Sequence, residues 1–190
     1  MATDVHRQHY NVTFALLSVA AVSYALLQSL VAPALLTIQH DLDTTTAGAA
    51  WILSAYLLSA SVATPIAGRL GDMLGKKRVM VVVLIVLAFG TVLAGLASSI
   101  GVMIVARVIQ GAGGAIFPLA FGIIRDEFPP ERVPHGIALI SAILGIGGGL
   151  GIVLAGPILA HFTYHWLFWL PLFAIVVATG RMRTPVESVP

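Results

Sequence analysis

The placement of the positive charges constrains this chain more than any other feature. Six apolar stretches run over residues 13–38, 47–67, 79–97, 101–124, 135–160 and 166–179. The lysines and arginines outside them occur only in alternate gaps. Arg69, Lys76, Lys77 and Arg78 lie between the second and third stretches, and Arg125 and Arg132 between the fourth and fifth. Arg7 precedes the first stretch, and Arg181 and Arg183 follow the sixth. The other gaps read "QHDLDTTT", "SSI" and "HFTYH", with neither lysine nor arginine. A helix crossing a bilayer needs about 20 apolar residues, whereas a membrane strand needs about 9–11 and alternates in polarity. The lengths therefore predict an all-α membrane protein of six transmembrane helices. The charge sorting predicts a multi-pass arrangement in the plasma membrane with both termini cytoplasmic. Residues 1–12 are then a cytoplasmic N-terminal segment, 13–180 the six-helix bundle, and 181–190 a cytoplasmic tail.

Composition supports lipid as the solvent. Only 9% of residues are charged and 58% are hydrophobic, whereas a soluble domain carries about 25% charged residues. The opening "MATDVHRQHYNVT" enters an apolar run too long for a signal-peptide core and lacks a small-residue cleavage site, so it reads as a retained first span. The sixth stretch is short, and spans only if Arg181 and Arg183 extend to the headgroups. Tyr164, Trp166 and Trp169 are expected at the outer interface, where amphipathic rings collect. Pro33 and Pro118 each fall towards the end of the first helix of a three-helix set, as in the repeats of secondary transporters.

Several chemistries are excluded. The chain has no cysteine, which removes thiolate catalysis and cysteine metal sites. His161 and His165 stand four apart in an outer loop without a third ligand. No nucleophile–base set is present, so neither an enzyme nor a bound cofactor or metal is expected. The basic run in "GRLGDMLGKKRV" (68–79) is confined between two spans and gives nucleic acid no place to dock. It is not a phosphate loop either: Gly71 and Gly75 enclose three residues where four are needed, and Lys77 stands where a hydroxyl is required.

Three motifs remain. The first is that loop, with Gly68, Leu70, Gly71, Asp72, Gly75, Lys76 and Lys77. The second, "RVIQGAGGAIFP" (107–118), contains Arg107, the one lysine or arginine within a predicted span. A charge at that depth costs at least about 2.5–3.5 kcal/mol on insertion scales, which marks a functional site unless the side chain snorkels outward. Gln110 lies one turn on, and Gly111, Gly113 and Gly114 smooth the helix for close packing. The third, "GIGGGLGIVLAGP" (145–157), has Gly147 spaced four from Gly151 and Gly145 four from Gly149, followed by Gly156 and Pro157. Either spacing suits close helix–helix contact. Tyr24, Gln28, Trp51, Tyr56 and Ser59 line a cavity or serve as helix–helix hydrogen bonds.

"GRLGDMLGKKRV" resembles the loop between helices two and three of the major facilitator superfamily, with Met73 where an arginine is usual. Arg107, Gln110 and Gly111 match the Arg-x-x-Gln-Gly of that family's fourth helix, which the resemblance ties to proton coupling. Gly156 and Pro157 match the end of the antiporter motif in helix five, although Ala160 and His161 replace its final glycines. "PALLTIQHDL", "WILSAYLLSASVATPIAGRLGD", "FPPERVPHGIAL" and "HFTYHWLFWLPL" extend the likeness to the fourteen-helix drug:proton antiporters over nearly the whole chain. The resemblance implies the N-terminal six-helix half of a major facilitator fold, built as two three-helix repeats. It also implies multidrug efflux of amphipathic small molecules by antiport with protons. Such a half needs a second six-helix half or a homodimer to rock against. The ending "ATGRMRTPVESVP" suggests a truncated or split product, and the alternative is a non-transporting membrane partner that modulates a full transporter. The Asp often seen in helix one of that family has no counterpart here, and no carboxylate lies in any of the six spans.

Overall fold

The computed structural model describes residues 2–183, with side chains over 11–182. The side chain of Arg7 and the end of the tail after residue 183 lie outside that range. All regular structure among the described residues is helical: α1 (Ala2–Asp41), α2 (Thr46–Leu74), α3 (Lys76–Gly95), α4 (Ile100–Gln110), α5 (Ile116–Glu127), α6 (Val133–His161) and α7 (Trp166–Arg183). A 3-10 segment, Gly111–Ala115, joins α4 to α5, so the fourth predicted span is one rod with a tightened middle. Asn11–Asp41, Thr46–Leu74, Lys76–Gly95, Ile100–Glu127 and Val133–His161 are each long and apolar enough to cross a membrane. Trp166–Met182 is the shorter sixth rod.

Local chemistry sets the breaks. Thr45 precedes α2 and accepts from the Gly48 N–H, and Ser99 precedes α4 and accepts from Val102; each satisfies a donor that the helix leaves unpaired. A single residue, Gly75, turns α2 into α3 with φ of 97°, which residues bearing a Cβ rarely adopt. The tightened segment in the fourth rod has the sequence Gly-Ala-Gly-Gly-Ala, low in helix propensity. Pro118, four residues after Gly114, has no N–H to offer the Gly114 carbonyl, which loosens the α pattern there.

The rods pack in a repeated pattern. α1 lies against α6, and α2 against α4 and the 3-10 segment: in each case the first helix of one three-helix set meets the second of the other. α3 packs on α7, third against third. α1 on α7 and α3 on α4 form another reciprocal pair. This exchange of partners is what two three-helix repeats produce when related by an approximate two-fold axis. Leu84, Leu87, Met103, Ile116 and Phe168 fill the shared core. α2 and α6 are the least covered rods, with Leu58, Val62, Ile146 and Val153 exposed.

Close approach is selective. A Cβ at Gly147 would stand 2.8 Å from the Ala25 Cβ, and one at Gly151 would overlap Ser29. Those two glycines therefore form the α1–α6 seam, and the Ser29 hydroxyl donates to the Gly147 carbonyl at 3.3 Å. Gly145 and Gly149, equally spaced in sequence, have open space beside them, because positions two residues away point to another side of the helix. Tyr164, in the α6–α7 loop, turns inward to the protein. It is buried and donates to the Ala97 carbonyl at 2.6 Å, holding the α6–α7 loop against the end of α3. Burial, with Asp41 as a second influence, pushes its pKa above the usual tyrosine value. Trp166 is half exposed, and Trp169 packs on Gly95, 3.1 Å from where a Cβ would be.

Candidate functional site

Near the middle of the fourth rod, the small residues after α4 bring its backbone against α2. A Cβ at Gly111 would lie 2.5 Å from the Ser59 Cβ, and one at Gly114 would lie 2.8 Å from the Thr64 hydroxyl. The Ser59 hydroxyl donates across the seam to the Val108 carbonyl. On the other side Gly90 of α3 leaves room for Gln110, whose backbone N would stand 3.0 Å from a Cβ there.

This proximity lets Arg107 reach two other rods directly, and a third through Gln110, from a site with 0% exposure. Its Nε donates to the Ile52 carbonyl of α2 at 3.1 Å. Nη1 donates to Gln110 Oε1 at 2.8 Å, and Nη2 to Gln28 Oε1 of α1 at 3.2 Å. The guanidinium carbon lies 4.4 Å from the centre of the Tyr56 ring, within cation–π range. Gln110 Nε2 continues the chain to Thr91 Oγ1 of α3 at 3.2 Å, and Thr91 donates onward to the Leu87 carbonyl at 2.7 Å. The Tyr56 hydroxyl is hydrogen-bonded to that of Tyr24, whose ring meets Phe117 edge-on.

The Arg107 side chain is thus buried within the bundle and does not snorkel. Among the described residues no carboxylate contacts it; neutral dipoles and one aromatic face hold the charge. Burying a cation costs several kcal/mol unless its donors are satisfied, and these partners supply that satisfaction.

A second cluster closes the basic end. Lys76, at the start of α3, pairs with Asp126 of α5 at 2.9 Å and with Asp72 of α2 at 3.3 Å. Lys77 pairs with Glu127 at 2.7 Å, and Thr13 of α1 donates to the same carboxylate at 3.2 Å. Gly71 and Gly122 make the groove for the Lys76 stem: a Cβ at Gly122 would stand 2.5 Å from the Lys76 Cδ. Gly68 faces open space and Leu70 is exposed. The Asp72 side chain is 70% exposed, so its pairing with Lys76 leaves it open to a neighbour.

Of the residues suspected of lining a cavity, Tyr24, Gln28 and Tyr56 gather around Arg107, and Ser59 joins the adjoining seam. Trp51 does not: it is 54% exposed and lines an outer groove between α2 and α4 with Leu58, Val62 and Val108. In α6, Gly147 and Gly151 serve the α1 seam, whereas Gly156 has open space and Pro157 lies within the helix. Sequence reasoning missed Thr91 and the Ile52 carbonyl. A threonine in a span ordinarily bonds its own preceding turn, as Thr91 also does, and a backbone acceptor leaves no mark in sequence.

The sequence model described as Major Facilitator Superfamily matches residues 17–188. Multidrug resistance protein 3 of Bacillus subtilis (strain 168) is 37% identical over 122 residues, covering 64% of this chain and 24% of that protein. The Tetracenomycin C resistance and export protein of Streptomyces glaucescens is 31% identical over 159 residues, covering 83% of this chain and 30% of that protein. The chain therefore spans less than a third of the length of these curated relatives. Among solved structures, the proton:xylose symporter XylE bound to 6-bromo-6-deoxy-D-glucose superposes with a TM-score of 0.80 at 10% identity, over 96% of this chain and 46% of that one. That likeness is one of fold: the six rods correspond to half of a transporter of this kind.

Proposed function

The chain belongs to the Major Facilitator Superfamily, and from that premise we propose that it supplies one six-helix bundle of a proton-coupled exporter of amphipathic drugs in the plasma membrane, its basic end cytoplasmic. The observation that carries this reading is Arg107, a fully buried cation tied by hydrogen bonds to α1, α2 and its own rod and through Gln110 to α3. Intramembrane ionisable groups with assigned partners mark ion and substrate pathways. Relatives named for multidrug resistance and for tetracenomycin C resistance and export support an amphipathic drug as the substrate.

The residues divide the work. An arginine does not lose its proton in a protein, so Arg107 is a fixed charge and not the proton carrier. With no carboxylate in the six spans, the carrier belongs to the second bundle with which this one forms the midplane site. In a low-dielectric interior the field of Arg107 favours the ionised form of any carboxylate brought near it, and so favours proton release on closure. Gln110 and Gly111 hold the guanidinium in place. At the basic end, Lys76 with Asp126 ties α3 to α5, and the exposed Asp72 meets the second bundle when the outer side is open. Gly71 and Gly75 give this latch its tight turn and close packing.

The test is ethidium extrusion from efflux-deficient cells co-expressing the chain with a second six-helix bundle of the family, with and without an uncoupler. Efflux that the uncoupler stops and Arg107→Ala abolishes is the expected result. Full proton-linked efflux in Arg107→Ala removes the coupling role. A chain that inserts yet extrudes nothing, while altering the efflux of a co-expressed transporter, favours the non-transporting partner.

A further inference from the structure

Of the groups that hold Arg107, Ile52, Tyr56 and Gln110 are buried, whereas Gln28 is only half-buried. Its Oε1 accepts from Arg107 Nη2 at 3.2 Å. A guanidinium can only donate, so the amide must give its oxygen to Arg107 and turn its nitrogen away. That Nε2 has no hydrogen-bond partner among the described residues. It is not sealed in either. The buried side-chain polar atom left unpaired among the described residues is Ser18 Oγ, so Gln28 Nε2 opens to the outside of the bundle. Ala32 and Leu36 follow Gln28 at successive four-residue steps and are both exposed. To one side of this line Tyr24 meets Tyr56 of α2, and to the other Ser29 meets Gly147 of α6. Gln28 therefore lies on the uncovered strip of α1 between α2 and α6.

The surroundings suit a flat aromatic molecule. Tyr24 stands one turn from Gln28 on the same side of α1. Its ring meets Phe117 edge-on at 5.6 Å, and Phe117 meets Phe121 at 6.3 Å, all three half-buried. Small-molecule sites have this character, apolar and aromatic with a few polar groups that fix orientation. The amide donor is also stronger than an ordinary one, because Arg107 polarises it through Oε1. A buried charge is thus felt at the surface as a directed, neutral N–H. We infer that Gln28 is a specificity-determining residue of the drug site: its Nε2 donates to a carbonyl oxygen at the edge of a planar aromatic substrate, whose rings lie along Tyr24, Phe117 and Phe121. This rests on the transport reading above and names the class of molecule its midplane site takes, aromatic ketones and quinones. An aromatic cation without an acceptor oxygen uses the ring surface only.

Doxorubicin and ethidium separate the two contributions. Both are planar, fluorescent and positively charged near neutral pH, but doxorubicin carries quinone oxygens and ethidium has no oxygen. Each is titrated by fluorescence into the chain purified in detergent with a second six-helix bundle of the family. Gln28→Glu keeps an acceptor for Arg107 and removes the donor, and its charge acts on both cations alike. The ratio of doxorubicin to ethidium affinity should fall about tenfold, as for the loss of one charge-polarised hydrogen bond. Gln28→Leu, which adds no charge, should lower the ratio similarly. A ratio that neither variant moves overturns the inference and assigns the amide to packing against the second bundle. Failure of doxorubicin to bind the unaltered pair overturns it as well. Uncoupler-sensitive extrusion, measured in parallel, keeps the two readings apart: efflux with an unmoved ratio removes this inference alone, and a lowered ratio without efflux removes the transport reading alone.

Discussion

Two cations in this bundle are held by opposite means. Arg107 is buried and surrounded by neutral acceptors: a backbone carbonyl, two glutamine oxygens and a tyrosine face. Lys76 sits at the wetted end, its side chain 26% exposed, and pairs with two carboxylates. In the interior a charge is stabilised by dipoles fixed in place beforehand, and deleting any one of them leaves an unpaired group in low dielectric. At the surface water and salt replace a lost partner, so an ion pair there is easily made and broken. In the function proposed above, the buried network is the rigid centre and the surface ion pairs are the releasable latch.

The largest effect should come from Arg107→Ala, which empties a buried site and orphans Gln28, Gln110 and the Ile52 carbonyl. A loss of about 2–5 kcal/mol in bundle stability is expected from the cavity and the neutral groups that lose a partner, read from denaturant unfolding in micelles. Arg107→Lys should fall between, keeping charge but losing the planar fork. Melting of Arg107→Ala at the native midpoint would mean that the network does not hold the rods together.

Gly111→Val comes next, because its Cβ would stand 2.5 Å from the Ser59 Cβ and 2.8 Å from the Ala60 backbone N. Overpacking of that kind costs about 1–3 kcal/mol. Gly145→Val, with open space around it, should leave the same unfolding curve unmoved; if both glycines respond alike, the seam assignment fails. Gly75→Ala should cost about 1 kcal/mol, since its φ of 97° resists a side chain. The smallest effect belongs to Lys76→Ala, whose melt should overlay that of the native chain once salt is raised. A large, salt-independent loss would put the latch in the same class as the buried network and erase the distinction between the two cations.

Much of this was legible in advance. The six rods follow from run length and charge sorting, and the structure returns them with α1 starting eleven residues earlier, α2 ending seven later and the other ends within four. Arg107 announced itself because a charge within an apolar run must have a purpose or an escape. The fourth rod's 3-10 turn was less visible: its glycines suggested smooth packing, and only the packed bundle shows that they also bring Arg107 within reach of α2. Trp51 and Tyr56 looked alike as aromatic residues of one span, yet five positions around a helix carry them to different sides, one to an outer groove and one to the guanidinium.

Sequence alone determined what local and compositional physics control. Lipid is the solvent because so few charges cannot wet a surface, and helices result because a bilayer leaves no unpaired backbone group tolerable. The tertiary structure decided the choices among equals. It selected Gly147 and Gly151 over Gly145 and Gly149 for the α1 seam, and it turned Tyr164 inward to the Ala97 carbonyl. It also assembled the acceptors of Arg107 from residues separated by up to 79 positions in sequence. Such choices depend on which faces meet, and that is settled only when every rod has found its neighbours.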